Sequence, residues 1–103
     1  MFLVVFRNRK RAGIDQAAYD AEAARMEELA SGQPGYLSFK SYEAEDGEVV
    51  AISEWRDEAS ARAWGRHAEH QAAQGRGRDA YYDSYTLFAC GNPRIHEFER
   101  TEK

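Results

Sequence analysis

The order in which strand-like and helix-like segments follow one another constrains the fold of this chain more than any other feature. Runs rich in β-branched and aromatic residues alternate with helical patterns in the order β-α-β-β-α-β. Asp46-Gly47, a strong hairpin signal, joins the second and third strands. With right-handed crossovers, this order predicts an α+β, ferredoxin-like fold in which two helices cover one face of a four-stranded antiparallel sheet.

Capping residues and chain breakers predict where these segments begin and end. Asp15 and Asp57 are good helix N-caps, and glycines follow both helical patterns. Side chains repeat on one strand face every second residue, so Asn8 continues the face of the first strand. The predicted segments are strands Phe2–Phe6, Tyr36–Glu43, Glu48–Trp55 and Tyr81–Cys90, a helix over Gln16–Ser31, and one continuous helix from Asp57 to Gly75 or Gly77.

Length, charge and cysteine content bound the function classes. The 103 residues form one domain, residues 1–103, and a net charge of -4 argues against nucleic acid or an anionic membrane as partner. Cys90 is the only cysteine, which excludes an internal disulfide and a thiolate metal cluster. No apolar run approaches the ~20 residues that span a bilayer, and the short apolar start lacks the order of a signal peptide. We therefore expect a cytoplasmic protein.

The strands carry apolar side chains on both faces, although two helices can cover only one. In the first strand Leu3 and Val5 alternate with Val4 and Phe6. A large exposed apolar face is unfavourable in a soluble protein. A second copy of the chain, packed sheet against sheet, is the simplest cover, so the sequence predicts a homodimer.

The second helix carries polar residues on the stripe that should face the core. His67 and Gln71 follow Trp64 at i+3 and i+7 and fall on or beside that stripe. Buried polar groups are costly without partners, so this stripe indicates either a hydrogen-bonded core or a lined cavity. His70 is expected at a rim or in solvent. His67 and His70 at i and i+3, with no third ligand, do not indicate a metal site.

Aromatic residues are available to line such a cavity. Trp55 and Trp64 are large enough to wall a pocket for a flat ring, although such residues also fill cores. Phe39 is the apolar wall expected from strand two. Tyr82 and Tyr85 should fall on opposite faces of strand four, and Tyr85 is the one expected at the pocket.

Several short patterns together resemble the antibiotic biosynthesis monooxygenase (ABM) family of dimeric α/β-barrel proteins. The resemblance runs nearly end to end and implies that fold. It rests on Pro34-Gly35-Tyr36, Ile52-Ser53-Glu54-Trp55, Asp57-Glu58-Ala59, Ala63-Trp64 with His67 and His70, and Tyr81-Tyr82. Some members are oxygenases that use no metal, flavin or haem and oxidise electron-rich phenols or hydroquinones, whereas others bind and degrade haem.

The favoured interpretation is a monooxygenase without metal or organic cofactor, acting with O2 on a small aromatic phenol or hydroquinone. His67 is the expected general base because an imidazole with a pKa near 6.5 takes a phenolic proton at neutral pH. Asn8 would orient substrate or a developing oxyanion, unless it merely caps the strand end, and Trp64 completes the catalytic set. Phe39, Trp55, His70, Gln71 and Tyr85 are the expected substrate contacts. The alternative for His67 is a hydrogen bond within the helix–sheet interface.

Three other functions compete with this interpretation. The resemblance implies that haem-degrading members use an Asn on strand one, a Trp on helix two and a His ten residues after that Trp. Asn8 and Trp64 match the first two positions, but the third is Gln74, and glutamine is a poor axial ligand. A non-catalytic ligand-binding or stress-related dimer would keep the fold and the pocket. RNA binding shares the element order, but the third strand is acidic and aliphatic rather than aromatic, which argues against it.

Overall fold

The protein folds as a four-stranded antiparallel sheet with its helices on one face. The structure is a computed structural model that describes residues 1–101. Its elements are β1 (Phe2–Lys10), α1 (Gln16–Ser31), β2 (Tyr36–Glu43), β3 (Val49–Trp55), α2 (Glu58–Arg66), α3 (Ala68–Arg76), a π-helical turn (Gly77–Tyr81) and β4 (Tyr82–Gly91). The strand order is β2-β3-β1-β4. The ferredoxin-like prediction is confirmed, and α1 and β2 have the predicted bounds.

Short polar residues fix the points at which the chain changes direction. The Asp15 carboxylate accepts a hydrogen bond from the Ala18 amide at 3.0 Å, and Asp57 accepts one from Ser60 at 2.8 Å. Both caps satisfy amides that a helix leaves free in its first turn. Gly47 adopts φ +89° in the hairpin, a conformation that side chains disfavour.

The core lies at one end of the sheet. Phe2 and Trp55 pair across β1 and β3, and Trp64 of α2 and Ala30 of α1 close over them. Trp55 is only 1% exposed, and its ring meets Tyr36 edge to face at 5.7 Å between centroids. Large aromatic rings of this kind dominate the burial that stabilises a small domain.

The predicted single helix after Asp57 is interrupted at His67. The backbone of His67 has φ -58° and ψ 131°, which is not helical, so α2 ends at Arg66 and α3 begins at Ala68. The carbonyl of Trp64 accepts the His67 amide at 3.0 Å, and the His67 carbonyl starts the next helix by accepting from Gln71 at 2.9 Å. The expectation of one continuous helix is therefore wrong.

A β-bulge interrupts the pairing of β1 with β4. Arg9 pairs with Ser84, whereas the next residue, Lys10, pairs with Tyr82, so Asp83 has no partner in β1. An extra residue on one strand reverses the alternation of faces beyond it. Tyr82 consequently lies on the same face as Tyr85, and the expectation that they face opposite ways is wrong.

The helix-free face of the sheet carries a continuous apolar surface. Val5 of β1 is flanked by Ile52 of β3 and Phe88 of β4, and Phe88 is 44% exposed.

Among residues 1–101, no helix is both long enough and apolar enough to cross a membrane.

Candidate functional site

A cavity of about 870 Å³ lies between the sheet and the helices α1 and α3. Its floor is the helix-facing side of the strands, and α1 supplies Tyr19, Glu22 and Met26 to its wall. Pockets of this size hold ligands as large as drug molecules. Four of the predicted site residues line it: Asn8, Phe39, His70 and Tyr85.

The break at His67 determines which side of α3 faces the cavity. His70, Ala73, Gln74 and Gly77 line it, at the i, i+3, i+4 and i+7 spacing of one helical face. Gln71 lies off this face and its side chain is exposed. The i+7 spacing from Trp64 predicts Gln71 at the cavity only if the helix is unbroken, and the break at His67 removes that condition.

His70 stacks on Trp64. The two rings lie 4.2 Å apart between centroids at an interplanar angle of 12°. His70 Nδ1 lies 3.0 Å from the Trp64 carbonyl oxygen, which can only accept, so Nδ1 carries the proton and Nε2 keeps its lone pair. Burial lowers the pKa of His70 below its ordinary value, and the neighbouring His67 acts in the same direction. The expectation that His70 sits at a rim or in solvent is thus replaced by a partly buried, neutral imidazole on the cavity wall.

The other predicted site residues lie elsewhere. His67 is at the helix junction, 5.4 Å from the Trp64 ring, and its buried Nδ1 has no hydrogen-bond partner within the described residues. Trp55 and Trp64 belong to the core, where Trp64 supports His70 from behind. The structure therefore brings neither tryptophan, nor His67, nor Gln71 to the cavity wall within residues 1–101.

Asn8 lines the cavity from the sheet, on β1. The residue is 3% exposed, and its Oδ1 accepts a hydrogen bond from Lys10 Nζ at 2.5 Å. The amide N–H groups of Asn8 remain available as donors. The ammonium group of Lys10 also lies 4.6 Å from the centroid of the Tyr19 ring and 5.6 Å from that of Tyr82. Contacts of this kind are cation–π interactions.

A cluster of aromatic rings surrounds Tyr82. Its centroid lies 5.5 Å from that of Phe6 and 6.0 Å from that of Tyr85, and its hydroxyl lies 3.3 Å from the hydroxyl of Tyr19. Burial raises the pKa of Tyr82 far above its ordinary value, and the hydrogen bond with Tyr19 adds to that effect. Tyr82 therefore stays a neutral phenol at any physiological pH.

Sequence reasoning missed Lys10, Tyr19 and Tyr82 as cavity residues. Lys10 continues the face of Asn8 by one more step, so the rule that placed Asn8 could have placed Lys10. Tyr19 lies on the apolar stripe of α1, a pattern that predicts a core residue rather than a cavity residue. Within residues 1–101, no group of three or more His, Cys, Asp or Glu side chains is arranged to hold a metal ion.

Comparisons with known proteins agree with this architecture. An uncharacterised protein of Bacillus subtilis, YqjZ, is 35% identical over 86 residues, which cover 84% of this chain and 74% of YqjZ. A jasmonate monooxygenase (ABM) of Pyricularia oryzae is 30% identical over 107 residues, covering 99% of this chain but only 49% of that protein. The chain thus spans about half the length of the fungal relative.

A solved structure gives a similar result. The N63A mutant of SnoaB, described as a cofactor-independent oxygenase from Streptomyces nogalater, superposes with a TM-score of 0.76, covering 91% of this chain and 94% of SnoaB. The two sequences are 17% identical, so this likeness shows the fold alone. Residues 1–76 match the sequence model of one family directly. The chain belongs to the antibiotic biosynthesis monooxygenase (ABM) family.

Proposed function

We propose that the protein is a monooxygenase that uses O2, without a metal or organic cofactor, to oxidise a small aromatic phenol or hydroquinone in the cavity beneath α1 and α3. The observation that carries the proposal is the His70 imidazole, neutral and hydrogen-bonded through Nδ1, on an aromatic-lined wall. The family membership supports oxygenase chemistry. So do the names of two similar proteins, a jasmonate monooxygenase and a cofactor-independent oxygenase.

The proposed base is His70 rather than His67. A general base must reach the proton that it takes, and His70 lines the cavity whereas His67 lies at the helix junction. The Trp64 carbonyl holds the His70 tautomer whose Nε2 accepts a proton, as a second hydrogen-bond partner does for many functional histidines. The lowered pKa keeps this ring unprotonated at neutral pH.

The reaction balances with O2 as the only oxidant. His70 Nε2 takes the phenolic proton, and the resulting phenolate gives one electron to O2. The phenoxyl and superoxide radicals combine to form a carbon–oxygen bond, and the imidazolium returns its proton to the peroxide. The O–O bond then breaks together with the C–H bond of the same ring carbon, which releases water and leaves a new carbonyl: one oxygen atom stays in the product and the other leaves as water. The protein contributes the base, the orientation of the ring and a sheltered site.

Oxygen uptake by metal-stripped protein tests the proposal. We would supply anthrone and a panel of hydroquinones and compare the wild type with His70→Gln and His67→Gln. Loss of uptake in His70→Gln, with uptake retained in His67→Gln, is the expected result. The reverse pattern would restore His67 as the base, and no uptake from any substrate would favour a ligand-binding dimer.

Haem binding is a second candidate, and one observation favours it. His70 offers an imidazole to the cavity that Asn8 and Gln74 also line, whereas Gln74 alone is a poor axial ligand. If haem binds, His70 would hold the iron, which would supply redox chemistry to the site. Titration with haemin distinguishes the two candidates. A Soret band that His70→Gln abolishes, together with no oxygen uptake in the metal-stripped protein, would replace the cofactor-free proposal.

We also propose a homodimer formed through the helix-free face of the sheet. Leu3, Val5, Val50 and Ile52 are half-buried there, and Phe88 and Tyr42 are exposed. A continuous apolar face of this kind is a common protein interaction site. A second copy would present the same face to the first, as symmetric dimers do.

A further inference from the structure

We propose that Lys10 is a specificity residue that selects ligands bearing an oxyanion, a carboxylate or phenolate, on an aromatic ring. The inference rests on the proposed function for the identity of the cavity as a substrate site, and it adds the charge class of the substrate. It starts from an ammonium group placed inside an aromatic wall without an acidic partner.

Lys10 is partly buried in the cavity wall, and its described contacts are all uncharged. Its Nζ donates to Asn8 Oδ1 at 2.5 Å and lies over the rings of Tyr19 and Tyr82. Within residues 1–101, no carboxylate oxygen forms an ion pair with Lys10, although seven other ion pairs occur there. A partly desolvated ammonium without a counter-charge attracts an anion more strongly than a solvated one does.

The β-bulge explains why Lys10 has no acidic partner. In a regular ladder Arg9 opposite Ser84 would place Asp83 directly opposite Lys10, and opposite charges at such positions attract. The bulge skips Asp83, whose side chain is exposed, and sets Tyr82 opposite Lys10. The backbone irregularity thus exchanges a carboxylate for a phenol beside the ammonium.

The other charged groups of the wall do not neutralise this position. Glu22, the least exposed of the acids, is engaged by Arg76, with 2.9 Å between Oε1 and Nη2. Asp20, Glu27 and Glu43 are exposed, and Arg78 adds a further positive charge to the lining. Lys10 with the Asn8 amide therefore forms the site where an oxyanion finds both a charge and N–H donors.

The aromatic rings beside Lys10 determine what carries the oxyanion. Phe6, Tyr82 and Tyr85 have centroids 5.2 to 6.0 Å apart and border the same end of the cavity. Such a cluster offers ring faces and edges against which a flat aromatic ligand packs. An aromatic acid can pack its ring against this cluster and pair its carboxylate with the Lys10 ammonium. A neutral aromatic compound can only pack against the cluster.

A matched pair of ligands tests the inference without turnover. Anthraquinone-2-carboxylate and anthraquinone-2-carboxamide have nearly the same shape, differ in charge and are already oxidised, so their binding can be measured by calorimetry. We expect the wild type to bind the carboxylate about tenfold more tightly, and Lys10→Met to remove most of that preference. Arg62→Met is the control, because it removes a positive charge from the exposed surface of α2, away from both the cavity and the helix-free face of the sheet.

Equal binding of the two ligands by the wild type, or equal loss of the carboxylate preference in Arg62→Met and Lys10→Met, would overturn the assignment. Lys10→Gln, which keeps a polar side chain, serves if Lys10→Met does not fold. If the wild type prefers the carboxylate but takes up no oxygen, Lys10 remains an anion-binding residue and the proposed monooxygenase activity is contradicted. If it takes up oxygen without that preference, only the proposed role of Lys10 is contradicted.

Discussion

Two glycines of the segment that ends helix α3 give a sharp test of the packing around Tyr82. A methyl group added at Gly77 would lie 2.6 Å from Tyr82 Cε2 and 3.1 Å from Cδ2. A methyl group added at Gly75 meets no atom within 4 Å in the described part of the chain. Both residues lie in helical segments, and Gly77 has an ordinary φ of -57°. Backbone strain therefore does not distinguish Gly75→Ala from Gly77→Ala.

The expected magnitudes follow from these contacts. Alanine is favoured over glycine within a helix by ~0.8–1.0 kcal/mol, so Gly75→Ala should stabilise the protein by up to about that amount. Gly77→Ala gains the same term but overpacks the ring of Tyr82, which Phe6, Tyr19 and Tyr85 hold in place. Overpacking of this kind costs about 1–3 kcal/mol. The difference between the two variants isolates that steric cost.

Urea unfolding of the two variants and the wild type, followed by tryptophan fluorescence, measures the free energies of unfolding. Gly75→Ala should be more stable than Gly77→Ala by about 1–3 kcal/mol, with the denaturant slope unchanged. If Gly77→Ala were as stable as Gly75→Ala, Tyr82 would not be fixed against Gly77, and the account of this end of the cavity would fail.

Two further predictions concern titration and assembly. The pKa of His70 is lowered in the folded state, so below its ordinary pKa near 6.5 the unfolded chain takes up that proton more readily than the folded chain does. The free energy of unfolding should therefore decrease as the pH is lowered below that value, by up to about 1.4 kcal/mol per pH unit. Urea unfolding of His70→Gln should show a weaker pH dependence. An unchanged slope would mean that His70 is solvated. Phe88→Glu places a charge on the helix-free face and should shift sedimentation at micromolar concentration from dimer to monomer while the circular dichroism spectrum is retained; a monomeric wild type would contradict the proposed dimer.

Local signals in the sequence were sufficient for the frame of the fold. Asp15 and the glycine after Ser31 delimit α1, and Asp46-Gly47 sets the hairpin, because caps and tight turns depend on a few adjacent residues. The alternation of side chains along β1 likewise placed Asn8 on the correct face. These features do not depend on distant parts of the chain.

Two departures from regular structure could not be read in the same way. The break at His67 involves neither proline nor glycine at that residue, although Gly65 just before it lowers the preference for helix. The bulge opposite Lys10 depends on pairing between β1 and β4, which are far apart in sequence. Each departure changed which residues reach the cavity: the first exchanged Gln71 for His70 and Gln74, and the second added Tyr82.

Strand β1 joins two regions with different requirements. It begins at Phe2 in the tryptophan-rich core and ends at Lys10 on the cavity, about 27 Å away at the usual rise per residue. Packing at the first end fixes the fold, whereas Lys10 and Tyr85 at the second end border the cavity and lie outside that core. Descendants of such a chain can exchange Lys10 or Tyr85 and acquire new ligands while the folded frame persists.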